Sequence, residues 1–344
     1  MKQSNYFSLK FVQKDSLGEN DKLVFLDQTK LPLEENYIET ENYERVAEAI
    51  EKLEIRGAPL IGIAAAYALA LSVKTVNENF AEQFYTAHKR LSETRPTAVN
   101  LFFALKTMKD FFEENKDSTE LYEMLIAKAK KIHREDEEFC SKIGKNGLAI
   151  FKTKAAVLTH CNTGKLATGG DGTAFSVIKT AFENELVKFV YANETRPLLQ
   201  GSRLNAFELE KFGIPFALLA DSSAAFLMKQ NKVDLVITGA DRIALNGDSA
   251  NKIGTYNLAL LSYHHNIPFY IAAPSTTIDR TIATGDEINI EYRDKRELLA
   301  INQSQITSPS YDAFTPAFDI TPAHLITGII TEEGVFNFPY NFTR

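Results

Sequence analysis

From Lys154 onward, short apolar runs alternate with helical stretches, and this alternation most limits the folds open to the chain. The runs are Ala155-Ala156-Val157-Leu158, Leu186 to Ala192, Ile214 to Ala220, Val233 to Ile237, Ile267 to Ala273 and Leu325 to Ile330. Between them lie helical patterns such as Ala174 to Phe182, Arg203 to Lys211 and Ser222 to Lys229. Apolar runs this short, without polar alternation, are strands buried on both faces. Strands alternating with helices predict an α/β domain, a mostly parallel sheet with a helical layer on each face, over residues 151–344.

The first part of the chain follows a different rhythm. Up to about residue 45, Phe7 to Val12 and Lys22 to Leu26 alternate apolar and polar positions between breaks at Gly18-Glu19-Asn20 and Leu31-Pro32, which reads as a small antiparallel sheet. From Asn42 to Ile150 the period is helical: Tyr43 to Ile50, Ile61 to Val73, a segment around Phe84, then Leu101 to Phe112, Leu121 to Phe139 and Ile143 to Phe151. Two domains are therefore expected, residues 1–150 and 151–344, in keeping with a length of 344 residues.

A net charge of -7 argues against nucleic acid or an anionic membrane as the main partner. The first residues lack the apolar core of a secretory signal, and the longest apolar run, Leu60 to Val73, falls short of the ~20 residues that span a bilayer. Cys140 and Cys161 have no C-x-x-C spacing and read as thiols. The expected compartment is the cytoplasm.

Polar clusters at the ends of the apolar runs are where an α/β sheet carries its chemistry. After the first run come His160, Cys161 and a turn rich in glycine (Gly164, Gly169, Gly170, Gly172). This turn lacks both the closing Gly-Lys-Ser/Thr of a phosphate loop and the third glycine of a dinucleotide fingerprint. A thiol there can be activated, or can simply be a small buried apolar group. His160 can be a base, a ligand or a structural hydrogen-bonder. After the second run, Arg196 suits a phosphate or carboxylate and Gln200 a hydroxyl, while Glu194 and Arg196 equally suit an interface ion pair. Asp221-Ser222-Ser223 looks like a helix cap. After the Val233 run, Asp241, Arg242, Asn246, Asp248, Asn251 and Lys252 crowd together. Asp221, Asp241 and Asp248 could serve a metal as oxygen ligands, and Lys252 with Gly254-Thr255 could offer a phosphate a cation and backbone donors. From the first domain, Arg56 before Pro59 and Arg95 before Pro96 can each present a guanidinium beside a helix start.

Together these stretches resemble the methylthioribose-1-phosphate isomerase family, in a superfamily with ribose-1,5-bisphosphate isomerases and regulatory subunits of a translation-initiation exchange factor. The resemblance rests on RGAPLIG, TRPTAVN, LTHCNTG, ETRPLLQGSRL, GADRIALNGDSANKIGTY, IPFYIAAPSTTID and PAFDITP, in a match that runs from Ile55 to Thr331. It implies a Rossmann-like sheet domain without a dinucleotide or other cofactor, a mainly helical first domain with a small antiparallel sheet, and a homodimer. It further implies that Cys161 and Asp241 are the catalytic pair, that Arg56, Gly57, Ala58, Arg95, Gln200, Asn251 and Lys252 bind substrate, and that no metal takes part.

The implied reaction converts 5-methylthioribose 1-phosphate to 5-methylthioribulose 1-phosphate in methionine salvage. Asp241, desolvated at its strand end, would protonate the ring oxygen, and Cys161 would work at C1 and C2. Two departures from the family pattern bear on the 5-substituent: Thr315 stands where Asn is expected, and Gly169 to Gly172 form an unusually polar turn. Alternatives are an isomerase of 5-deoxyribose 1-phosphate or ribose 1,5-bisphosphate and, from another class, a non-catalytic regulatory subunit.

Overall fold

The computed structural model describes residues 6–13, 21–74, 79–95, 98–301, 304–340 and 342. The expected break at Gly18-Glu19-Asn20, and Pro96 with Thr97, lie outside them. The chain divides into two compact units, one of residues 5–139 and 165–172, the other of residues 140–164 and 173–344.

The first unit begins with three antiparallel strands, β1 (Leu9–Val12), β2 (Lys22–Leu26) and β3 (Tyr37–Thr40), with β2 in the middle. Leu23 and Phe25 of β2 are fully buried against the helices. Those helices are α1 (Tyr43–Glu51), α2 (Ala58–Ser72), α3 (Phe80–Ser92), α4 (Val99–Asn115) and most of α5 (Leu121–Asn146). Asn42 starts α1 by accepting the Glu44 amide at 2.9 Å. Every residue of α2 from Leu60 to Leu71 is buried, as befits a helix apolar on all sides that others surround. Its small residues permit close packing: a Cβ at Gly62 would lie 2.7 Å from the Asn100 carbonyl of α4. No helix among the described residues is long and apolar enough to cross a membrane.

Where the sequence pattern suggests two helical segments around residue 141, α5 is continuous. Gly144 stays in the helix because its bare face receives α6 (Ala174–Glu183); a Cβ there would lie 2.6 Å from Ser176 Oγ.

The second unit is built on a seven-stranded sheet, with the strands of two smaller sheets interleaved along the chain. Along the chain these are β4 (Ala155–Thr159), β5 (Val187–Asn193), β6 (Phe216–Leu219), β7 (Leu235–Thr238), then β8 (Arg242–Ile243) and β9 (Ser249–Lys252) of a second sheet, and β10 (Phe269–Ala272). A two-stranded hairpin, β11 (Ala300–Ile301) and β12 (Ser304–Gln305), precedes β13 (Phe318–Thr321), β14 (Gly328–Thr331) and β15 (Gly334–Asn337). The large sheet runs β15-β14-β10-β7-β4-β5-β6, parallel throughout except for β15 at one edge. Counted in chain order its parallel strands stand 3-2-1-4-5-6, the doubly wound order, which reverses between β4 and β7. This is the α/β architecture expected for the sheet domain. Helices α6, α7 (Ala206–Lys211), α8 (Ala224–Lys229) and α9 (Thr255–His264) connect the strands.

Two features were not anticipated. Strands β8, β9 and β13 form a separate antiparallel sheet in the order β13-β9-β8, and α9 carries no apolar stripe that would announce a helix.

Candidate active site

In a doubly wound sheet the crevice opens beyond the carboxyl ends of the strands where their order reverses. Here that point lies between β4 and β7, whose ends lead to Cys161 and Asp241 respectively. The two loops touch: a Cβ at Gly239, just past β7, would lie 2.9 Å from Thr163 Cγ2, just past Cys161. Glycine is what lets these segments pass.

Cys161 is buried and leaves β4 with φ +62°, the left-handed region that side chains other than glycine rarely adopt. Its amide donates to Thr195 Oγ1 at 2.8 Å. The next side chain, Asn162, donates to the fully buried carboxylate of Glu208 in α7, and the Thr173 amide returns to the Thr163 carbonyl at 2.8 Å. His160 has a structural task. Its Nε2 donates to the Ile253 carbonyl at 2.8 Å, which leaves Nδ1 to accept from Asn193 Nδ2 at 3.2 Å. Burial pushes its pKa below the ordinary value, so the ring stays neutral and ties the end of β4 to the turn after β9.

The loop after β5 is held by Asp221. Its two carboxylate oxygens accept the amides of Thr195 and Arg196 at 2.8 and 2.7 Å, and the cap of α8 is Ser223. Ser223 of the expected Asp221-Ser222-Ser223 stretch is thus the cap position of α8, and Asp221 adds a clamp on the neighbouring loop. The Arg196 guanidinium donates to the carbonyls of Pro197 and Leu298, so it is engaged with backbone and not with Glu194. Gln200 is buried, and its Oε1 has no hydrogen-bond partner among the described residues. The same holds for Asn193 Oδ1, Thr159 Oγ1 and Thr238 Oγ1.

Asp241 begins the second sheet. Its amide bonds the Ala250 carbonyl at 2.9 Å, and Ala250 is also the register partner of Arg242. Arg242 pairs with Asp279, so it is not available to a ligand as the sequence pattern allows. Asn246-Gly247-Asp248 is the expected turn. The Asp248 carboxylate accepts Asn246 Nδ2 at 2.8 Å, the Gly285 amide at 3.0 Å and the Ala323 amide at 2.8 Å, which pins three segments together. Among the described residues no three His, Cys, Asp or Glu side chains are grouped as a metal site would require.

Asn251 and Lys252 lie on β9. Asn251 is buried and donates to Thr255 Oγ1 at 3.0 Å; Lys252 Nζ donates to the Ala317 carbonyl at 3.0 Å and stands 4.7 Å from the Phe318 ring centre. Asp319, opposite Asn251 on β13, was missed in the sequence. Its carboxylate accepts the Gly254 and Tyr256 amides at 2.7 and 3.0 Å, at the start of α9. Of the Gly254 and Thr255 backbone donors expected to serve a phosphate, the Gly254 amide is thus already taken by a protein carboxylate. Burial raises the Asp319 pKa to about 6, against the lowering effect of the two amides and Lys252.

The other proposed ligand contacts belong to the first unit. Arg56 is half-buried at the start of α2, where Pro59 stands in the first turn as expected. Gly57 has φ +95°, and a Cβ there would lie 2.3 Å from Ala167 Cα, so its glycine is required by packing. Ala58 opens α2. Arg95 is half-buried before α4, which begins at Val99 with Ala98 as cap, so no proline opens this helix. Of the two departures from the family pattern, Thr315 spends its hydroxyl on the Arg293 carbonyl at 2.5 Å. In the polar turn, Asp171 pairs with Lys165 at 3.2 Å.

The model of the Initiation factor 2 subunit family matches residues 54–338. A methylthioribose-1-phosphate isomerase from Caldicellulosiruptor saccharolyticus is 51% identical over 326 residues, 94% of this chain and 95% of that one. One from Geobacter sulfurreducens is 47% identical over 93% of this chain and 94% of its own. Among solved structures, 5-methylthioribose 1-phosphate isomerase from Pyrococcus horikoshii OT3 superimposes with a TM-score of 0.90 at 39% identity, covering 98% of this chain and 95% of that one. The translation initiation factor eIF-2B subunit delta from A. fulgidus gives 0.85 at 39% identity, covering 97% of each chain. With the matched region reaching from just after α1 through the last strand, the chain belongs to the Initiation factor 2 subunit family.

Proposed function

We propose that this protein is an aldose-ketose isomerase that converts 5-methylthioribose 1-phosphate to 5-methylthioribulose 1-phosphate in methionine salvage. The observation that carries the reading is the placement of Cys161 and Asp241 on touching loops at the point where the strand order reverses. Relatives at about half identity over nearly the full chain are named for this reaction.

A sugar phosphorylated on its anomeric oxygen does not open freely. In the proposed mechanism Asp241 gives a proton to the ring oxygen as the C1–O bond breaks. Hydrogen then moves from C2 to C1, and Cys161 serves at that face, either taking the C2 proton or stabilising a hydride shift. The C2 hydroxyl gives its proton to the carboxylate left on Asp241 and becomes the ketone, and the phosphate stays on C1. Gln200 and Asn251 bind the sugar, and Lys252, Arg56 and Arg95 oppose the phosphate, with Gly57 and Ala58 giving it close backbone. The buried polar atoms of Gln200, Asn193, Thr159 and Thr238 that lack a protein partner suit a ligand rich in hydroxyls.

The active unit is a cytoplasmic homodimer in this reading. Phe226 of α8 and Tyr256, Leu260 and Tyr263 of α9 are exposed by 64, 37, 41 and 68%, an apolar face that a second copy would cover. The likeness to a structure named for an initiation-factor subunit favours one second reading, a binding subunit without catalysis. A coupled assay with the 1-phosphates of methylthioribose, deoxyribose and ribose and with ribose 1,5-bisphosphate separates them. Turnover of the methylthio sugar supports the proposal. Turnover of none supports the binding subunit.

A further inference from the structure

We infer that Thr195 is a positioning residue for Cys161, and that Asp221 holds Thr195 in the conformation this needs. The inference rests on the reading of Cys161 as a group that works on the substrate.

Cys161 sits in a left-handed backbone conformation, which an L-residue keeps only where its surroundings enforce it. Its amide is fixed by Thr195 Oγ1 at 2.8 Å. That hydroxyl has one proton, and the Asn193 carbonyl at 3.2 Å takes it, so a lone pair faces the Cys161 amide. Thr195 is itself left-handed, with φ +63°, and β-branched residues adopt this least readily. Its amide and that of Arg196 donate to separate oxygens of Asp221, a charge-assisted pair that secures the turn. Gly201 completes the support. A Cβ there would lie 1.6 Å from the Asn193 carbonyl and 2.9 Å from Thr195 Oγ1, so only glycine lets the loop fold back over this bond. Two strained residues just past the ends of the adjacent parallel strands β4 and β5 are thus locked to each other by one hydroxyl. A thiol that must meet C1 or C2 of a bound sugar needs this kind of fixed backbone, because small misplacements cost rate more than affinity.

The test compares Thr195→Val, which keeps the shape and deletes the hydroxyl, with Thr195→Ser, which keeps the hydroxyl, using methylthioribose 1-phosphate turnover. The Val variant is expected to lose about 10- to 100-fold in kcat with little change in KM, and the Ser variant to recover most of it. Iodoacetamide labelling mapped by peptide should change in rate at Cys161 and not at Cys140, which is an internal control in the same chain. Wild-type kcat in Thr195→Val, or a loss that Ser does not recover and that falls on KM, overturns the inference. Cys161→Ser run in parallel separates it from the parent reading. If that variant turns over normally, the role of Cys161 fails and the inference fails with it. If it is inactive while Thr195→Val is normal, only the inference fails. Should Thr195→Val melt well below wild type, Asp221→Asn takes its place with the same expected loss in kcat, and unchanged kcat is again the overturning result.

Discussion

Asp319 combines a buried carboxylate with a pKa raised to about 6, and this makes a prediction whose sign and size can both be checked. In the unfolded chain a carboxyl of this type titrates near 3.8, so between pH 4 and 6 the folded protein binds the proton more tightly. Stability contributed by the group therefore falls as pH rises through that window, and above it the cost of the buried charge levels off at about 3 kcal/mol. Between pH 8 and pH 5 the wild type should regain about 1.4 kcal/mol that a variant unable to ionise does not. Asp319→Asn is that variant. It loses one acceptor for the Gly254 and Tyr256 amides, which shifts its stability by an amount independent of pH, and the comparison removes that offset. Urea unfolding of both proteins at several pH values is the assay. The difference between them should move in favour of the wild type by about 1.4 kcal/mol on going to pH 5, or roughly 3 to 6 °C in Tm. A constant difference, or one that moves towards the variant on acidification, refutes the assignment of a raised pKa to this carboxylate.

Cys161→Ser and Asp241→Asn should each lower kcat strongly with modest change in KM, and normal turnover in either removes that residue from the mechanism. Running the reaction in deuterated water should reveal the step at C2: substantial deuterium at C1 of the product excludes a pure hydride shift. Gly57→Ala should destabilise the first unit by a few kcal/mol, about the usual cost of forcing atoms into a packed site at a left-handed position, since the added Cβ meets the Ala167 backbone; a Tm equal to wild type would contradict the packing assigned to it. Burial works to raise the Asp248 pKa, but hydrogen bonds from Asn246, Gly285 and Ala323 outweigh it and the value is lowered. Its contribution is therefore present above the ordinary carboxylate range and lost as pH falls below it. Asp248→Ala should flatten the acid limb of the stability profile, and an unchanged limb would show the carboxylate to be idle.

The large sheet was legible because β4, β7 and β14 are buried throughout and the remaining parallel strands, although β6 at the edge is partly exposed, are still mostly apolar runs. The second sheet was not. Strands β8 and β9 hold Arg242, Ser249, Asn251 and Lys252, so they look like loop; β8 pairs with β9, and β9 pairs with β13 more than sixty positions away. Helix α9 was missed for a related reason: Leu258 and Ala259 are buried while Tyr256, Leu260 and Tyr263 are exposed, so apolar residues lie all round it and no period stands out. At the site, Cys161 and Asp241 could be suspected from their place after apolar runs. Thr195 and Asp221 could not be assigned their tasks, because positive φ at a threonine and a carboxylate bridging two amides exist only in the folded chain. Arg196 misled because a guanidinium near a strand end reads as a ligand for anions, whereas here carbonyls of its own unit occupy it.

His160 and Asp319 meet the same turn from opposite sides, and their titrations oppose each other. His160 accepts from Asn193 and donates to the Ile253 carbonyl, one residue before the Gly254 amide that Asp319 holds. Because burial lowers the His160 pKa, the unfolded chain binds the proton more readily, so its contribution to stability is lost as pH falls below about 6.5. Asp319 contributes in the other direction over pH 4 to 6. In the wild type the two slopes oppose each other across mildly acid pH. Removing one must expose the other. Asp319→Asn should unfold more readily as pH drops from 7 to 5, whereas His160→Gln should gain stability over the same range. If both variants keep the wild-type profile, neither group titrates between its folded and unfolded states, and the turn that carries Asn251 and Lys252 is held by packing alone.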